Sequence, residues 1–255
     1  MKQSFSWWSF AGRGVSDEDL LAGARKIGFE GVELLPASLF DRARDHGFTI
    51  ASHGGHESIE AGFNNPADHG RIRGEIEANL ERAVKYGIPN LIVFSGNRRP
   101  GQSDADGAAV CAEGIGKIVP LAEAAGVTLI MELLNSKVDH PGYQCDHTDW
   151  LAPIIDSVDS PYFRALYDIY HMQIMEGDLI RTIRANAPRI AHYHTAGNPG
   201  RNELVASGQE IAYPAVFRAI AATEYDGFVC HELIPTGDPL AALRQASELL
   251  EGSLR

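Results

Sequence analysis

The sequence predicts an α/β protein built as one (β/α)8 TIM barrel spanning residues 1–255. Three observations carry that expectation. Short apolar runs alternate with helical patterns along the whole chain, an order that gives parallel strands covered by helices. Eight such runs can be counted, the number of units in a closed barrel. The last four runs close on Glu132, Asp168, His194 and Glu232, spaced about one strand-plus-helix unit apart. In a barrel, the carboxyl ends of the strands converge on one mouth, where catalytic groups sit.

Taken in order, the strands are expected near Gln3–Trp8, Gly31–Leu34, Phe48–Ser52, Asn90–Ser95, Val127–Glu132, Phe163–Asp168, Arg189–His194 and Gly227–Glu232. After the first, Ser16 precedes DEDLLAGARKIG, with Asp19 at the capping-box position and Gly28 as the stop. Pro66–Gly87 reads as a long charged helix ending at Tyr86-Gly87. Asp104–Gly126 reads as an Ala-rich helix interrupted at Gly114 and Gly116. Side chains alternate faces along a strand, so Glu132 shares a face with Ile130 and Thr128, and His194 with His192. If the four terminal residues point inward, Met131, Tyr167, Tyr193 and His231 face the helices, and His231 needs a polar partner there.

Composition narrows the function. The chain is 44% hydrophobic, enough for a sizeable core, and carries a net charge of −12 without a basic run. That balance argues against nucleic-acid binding, which relies on clustered cations. No apolar run approaches a membrane span, and MKQSFSWWSF lacks the apolar core of a signal peptide. Three dispersed cysteines form neither a disulfide framework nor a CxxC site, so a reducing, cytoplasmic setting is expected. The outer helical faces leave room for a homo-oligomer.

Three carboxylates and one imidazole at a shared mouth make a mostly oxygen site for one divalent ion. Mn²⁺ or Mg²⁺ suits it best, and Co²⁺ or Zn²⁺ also fits. Any one carboxylate alone could be a helix cap or ion-pair partner; three of them and a histidine on successive strands are harder to attribute to capping. His171 stands one turn beyond Asp168, where it could bind metal or a substrate oxygen. Arg201 follows the Asn198-Pro199-Gly200 turn, where its guanidinium could hold a hydroxyl or carboxylate. His53 and His56 flank Gly54-Gly55 after the third strand and are candidates for the pocket wall. Of Trp7 and Trp8, one is expected to face the mouth. Ser95–Arg99 offers either polar contacts or a solvated loop. GxGxxG, Walker, GxSxG and HExxH motifs are absent, which removes support for nucleotide and serine-hydrolase readings.

The set Glu132, Asp168-x-x-His171, His194 and Glu232 resembles the xylose isomerase-like sugar isomerase and epimerase superfamily, over essentially the whole chain in element order. NPGRNE, GQEIAYPAVFRAI and MELLNSKVDHPGY look most like its hydroxypyruvate isomerase group. The resemblance implies one divalent metal held by Glu132, Asp168, His194 and Glu232, with His171 and Arg201 touching a small sugar or hydroxy-keto acid. It implies isomerisation through an enediolate, with Glu132 and Glu232 as base and acid, and Arg201 or Lys137 recognising a carboxylate. His53 and Trp8 complete the expected substrate contacts. Glu132 is followed by Leu133 where that group commonly has proline. His194 stands where it often has glutamine, and histidine there is the choice of ketose 3-epimerases, although Val138 replaces their further glutamate. A ketose 3-epimerase, a polyol dehydratase, a hydrolase like the apurinic-site endonucleases and a non-catalytic sugar binder are the alternatives. The endonuclease reading lacks its Asp-x-His pair after strand seven.

Overall fold

The computed structural model describes residues 1–255. Nine parallel strands form one sheet: β1 (Lys2–Ser6), β2 (Gly31–Glu33), β3 (Thr49–Ile50), β4 (His53–Gly54), β5 (Asn90–Val93), β6 (Thr128–Glu132), β7 (Phe163–Asp168), β8 (Ile190–Thr195) and β9 (Phe228–His231). Their order is β3-β2-β1-β9-β8-β7-β6-β5-β4. The two ends of that order, β3 and β4, are consecutive in the chain and separated only by Ala51 and Ser52. The third expected strand, Phe48–Ser52, is thus realised as β3, which pairs with β2, and a second short piece just beyond its expected end, β4, pairs with β5. This break, with Ser52 turned inward onto Glu33, accounts for nine strands in an eight-unit, nearly closed barrel.

Strand ends move by one or two residues from the expectation, most clearly at β1. It stops at Ser6, and Trp7–Phe10 forms a short helical turn. The helix Asp17–Ile27 starts with Ser16 Oγ accepting from Asp19 N–H and stops at Gly28, whose φ is 120°. His69–Tyr86 follows a 3₁₀ turn at Pro66–Asp68 and ends on left-handed Gly87. Asp104–Ala125 is continuous: Gly114 does not interrupt it because its bare Cα is the surface on which His69 and Phe63 pack. No helix is long and apolar enough to cross a membrane.

Two apolar layers result. The larger, a cluster of 59 buried residues, lies between strands and helices. A separate group inside the barrel is Ile92, Ile130 and Leu166. The strand parity expected from sequence holds. Ile130 and Leu166 are interior and share faces with Glu132 and Asp168, whereas Met131, Tyr167 and Tyr193 belong to the outer layer. His231 finds partners there: its Nδ1 lies 2.8 Å from Thr195 Oγ1 and its Nε2 3.1 Å from Gln3 Oε1, with the ring edge-on to Phe29.

Candidate metal and substrate site

Glu132 and Asp168 end β6 and β7, His194 is the penultimate residue of β8, and Glu232 directly follows β9. Parallel pairing sets Asp168 opposite His194 and His194 opposite Cys230. One ligand atom from each of Glu132, Asp168, His194 and Glu232 falls within 4.8 Å of the other three, and all four residues are buried. His194 Nδ1 lies 3.3 Å from Glu132 Oε1 and 3.1 Å from Glu232 Oε2. Asp168 also caps the helix Ile169–Met175, its Oδ1 accepting from His171 N–H at 3.1 Å. The cap engages Oδ1 only; Oδ2 lies 3.6 Å from His171 Nε2 and 3.8 Å from Arg201 Nη2.

The charges are strongly coupled. Burial raises Asp168 to about 7, against the pull of Arg201 and His194. Burial also opposes ionisation of Glu232, but His194 and Arg201 outweigh it and hold this carboxyl far below its ordinary range. Burial would neutralise His194, yet Glu232, Glu132 and Glu33 together raise it well above an ordinary histidine. Three carboxylates converge here around one imidazole. Such a donor set, oxygen-rich and excess in negative charge, fits a hard divalent cation.

Arg201 reaches the cluster from the loop after β8. Its Nη2 donates to Glu232 Oε2 at 2.6 Å and lies 3.8 Å from Asp168 Oδ2. The guanidinium sits over the rings of Trp8, at 5.5 Å, and Tyr170, at 5.1 Å. Its backbone is left-handed, with φ of 54°, a strained setting for a side chain with a Cβ. A bridge between Gly197 and Asn202, and Ile234 N–H donating to Arg201 O at 2.7 Å, hold that conformation. Trp8 Nε1 and Ser6 Oγ donate to Glu232 Oε1 at 2.8 and 3.1 Å.

These groups open onto a cavity of about 760 Å³. Glu132, Glu232, His171, Arg201, Trp8, His53 and His56 all line it. Trp7 lines it too, so both tryptophans reach the mouth; Trp7 is buried and Trp8 is 44% exposed. His171 is fully buried, and burial followed by the Arg201 charge keeps it well below its ordinary value. Its Nδ1 accepts from Asn135 N–H at 3.2 Å, while its Nε2 has no partner, 3.6 Å from Asp168 Oδ2. Burial, then Arg82, lowers His53 to about 4.

Lys137 is placed differently. It is exposed, lies outside the cavity lining, and donates from Nζ to Ile174 O at 2.8 Å and Met175 O at 3.4 Å. The end of the helix Ile169–Met175 leaves carbonyls without intrahelical donors, and the ammonium satisfies them. Ser95–Arg99 is structural: Arg98 forks onto Asp146 at 3.0 Å and anchors the loop carrying Tyr143. Glu203 Oε1 accepts from Thr236 N–H at 2.7 Å and from its hydroxyl at 3.0 Å.

Sequence reasoning passed over Asn135, His140 and Glu33. His140 lines the cavity with its ring 5.4 Å from that of His171. Glu33 lies below the cluster. The Gly31-Val32-Glu33 alternation carried the signal, since the parity that turns Gly31 inward also turns Glu33 inward.

Comparison with known proteins bears on the fold and the family. The model of the xylose isomerase-like TIM barrel family matches residues 21–252. A human protein described as a putative hydroxypyruvate isomerase is 32% identical over 241 residues, covering 86% of this chain and 84% of its own. A 2-oxo-tetronate isomerase from Cupriavidus necator is 30% identical over 239 residues, covering 88% and 90%. The crystal structure of a family 2 AP endonuclease from Brucella melitensis superposes with a TM-score of 0.82 at 23% identity, over 95% of this chain and 97% of that one. At that identity the structural match speaks for the fold alone.

Proposed function

The chain belongs to the xylose isomerase-like TIM barrel family, and from that premise we propose that it is a divalent-metal-dependent isomerase of small hydroxy-carbonyl substrates. The favoured reaction is hydroxypyruvate to tartronate semialdehyde. The observation that carries this reading is the buried set Glu132, Asp168, His194 and Glu232, opening beside Arg201 and His171 onto a substrate-sized cavity. Relatives of about 30% identity over most of the chain are named for isomerisation of hydroxypyruvate and 2-oxo-tetronate.

The four residues would hold one ion, Mn²⁺ or Mg²⁺ by their oxygen-rich character. Bound there, the ion would act as a Lewis acid for the negative charge that builds on substrate oxygen when an adjacent C–H is broken. The chain supplies the rest. Glu132 faces the cavity with fewer hydrogen bonds than Glu232, so its carboxylate is the base that takes the C3 proton of hydroxypyruvate. The hydroxyl proton on O3 moves to O2, C2 receives a proton that Glu232 relays from water, and Glu132 releases the proton it took to water, so both carboxylates return to their starting state. Those transfers convert the C2 ketone and C3 alcohol into a C2 alcohol and C3 aldehyde, with no net gain or loss of electrons.

Glu232 is held by Trp8, Ser6, His194 and Arg201, which fixes the orientation of the second carboxylate. His171 offers its unpartnered Nε2 to a substrate oxygen. Arg201, stacked between Trp8 and Tyr170, recognises the substrate carboxylate.

A second reading, ketose 3-epimerisation, rests on His194 as the nitrogen ligand and on a cavity roomy enough for a longer sugar. The test is proton NMR in D₂O on metal-stripped protein resupplied with Mg²⁺ or catalytic Mn²⁺. Tartronate semialdehyde deuterated at C2, formed only with metal, is the expected result. Turnover of a ketose but not hydroxypyruvate would select the epimerase. No exchange with hydroxypyruvate, 2-oxo-tetronate or any ketose, despite bound metal, would remove the isomerase reading.

A further inference from the structure

Glu33 is a fully buried carboxylate that lines no part of the cavity. Its Oε1 accepts from Ser4 Oγ at 2.5 Å. Its Oε2 accepts from Ser52 Oγ at 2.5 Å and from His192 Nε2 at 2.9 Å, and lies 3.3 Å from His194 Nε2. His194 thus turns Nδ1 towards Glu132 and Glu232, the side an ion would occupy, and Nε2 towards Glu33. A ring that ligates an ion through Nδ1 keeps its one hydrogen on Nε2, and Glu33 Oε2 is the acceptor placed to take it. We propose that Glu33 is the positioning residue of the metal centre, locking His194 as the Nε2–H form so that Nδ1 is the ligand atom. This rests on the metal-dependent reading above.

A plain packing role explains the arrangement less well. Interior layers of such barrels are normally filled by branched aliphatic side chains, and Ile92, Ile130 and Leu166 fill the far arc of this one. A buried carboxylate is costly to desolvate unless its partners offset it. Here the exception to aliphatic filling lies under the one nitrogen ligand. Metal-ligating histidines characteristically donate their other ring N–H to such a group. Glu33, His194 and Cys230 also gather within 4.8 Å. They do not make a second ion site, because both Glu33 oxygens are already engaged and burial pushes the Cys230 thiol far up.

The test compares Glu33→Gln with His192→Gln, which removes a different donor from the same oxygen. Mn²⁺ affinity is measured by calorimetry on the metal-stripped full chain, alongside thermal midpoints. Glu33→Gln should weaken Mn²⁺ by about 10–100-fold, the usual cost of losing such a partner, while His192→Gln stays within about threefold. Unchanged affinity in Glu33→Gln, or equal losses in both variants that follow their loss of stability, would overturn the proposal. ¹⁵N NMR of the Mg²⁺-loaded wild-type protein gives an answer even if Glu33→Gln fails to fold. A proton on His194 Nε2 supports the lock, and one on Nδ1 overturns it. A wild-type chain that binds no divalent ion would instead defeat the metal reading itself, an outcome separate from a bound ion indifferent to Glu33.

Discussion

His194 and His231 lie on adjacent strands, close to the same height in the barrel, yet they live in different solvents. His231 faces the helices: burial lowers it to about 3, and a glutamine and a threonine satisfy its ring. His194 faces the interior, where three carboxylates hold a proton on it against the same burial. The outer face of the strands is therefore a neutral packing layer, and the inner face near the mouth is an array of paired charges. Buried ion pairs add little to stability after desolvation. The outer layer should set how firmly the barrel folds, and the inner layer what it does.

The largest expected effect breaks function without breaking the fold. Glu132→Gln and Glu232→Gln should each lower turnover by about 10²–10⁴-fold, the range for loss of a positioned acid or base. Cooperative unfolding by circular dichroism should be retained. Near-normal turnover in both variants would remove these residues from the chemistry.

The converse substitution is Phe5→Ala. Phe5 is fully buried in the outer layer, edge-on to Phe10, Phe29 and Phe48. Its truncation should cost about 3–5 kcal/mol in urea unfolding, with activity per folded molecule unchanged. If kcat falls while the protein is fully folded, the two layers are coupled and the contrast fails.

A smaller effect separates the layers by pH. His231 has an ordinary value of 6.5 and a folded value of about 3, so between these the unfolded chain binds the proton that the folded chain refuses. Its contribution to stability is complete above 6.5 and is lost as pH falls towards 3. The stability difference between wild type and His231→Gln should therefore shrink on acidification from pH 7 to pH 4.5. A constant difference across that range would mean that His231 is not held neutral.

The barrel was legible because strand parity and cap chemistry are local. Glu132, Asp168, His194 and Glu232 each end an apolar run, and one register for all of them brings them together. Asp19 at the capping-box position and Gly28 at the stop are equally local signals. What escaped was non-local. Nothing near Glu33 in sequence announces that Ser4, Ser52, His192 and His194 will surround it, because those contacts exist only once β1, β2, β8 and the break at Ser52 close around one axis. The break itself was unreadable from Phe48–Ser52, which has an ordinary strand pattern.

Lys137 gives the mildest test. Five residues beyond Glu132, a cation is a reasonable carboxylate receptor by proximity in sequence. The loop instead turns at Asn135, whose Oδ1 accepts from Val138 N–H and Asp139 N–H at 2.9 Å, and this carries Lys137 outward onto the end of the helix Ile169–Met175. A cation at a helix C-terminus contributes about 0.3–1 kcal/mol when exposed. Lys137→Ala should therefore lower stability slightly and leave KM for hydroxypyruvate unchanged, whereas Arg201→Ala should raise KM and lower kcat. A selective rise in KM for acid substrates in Lys137→Ala would mean that the side chain leaves the helix end and swings into the mouth when substrate binds. The boundary of the charged inner layer would then extend beyond the cavity wall.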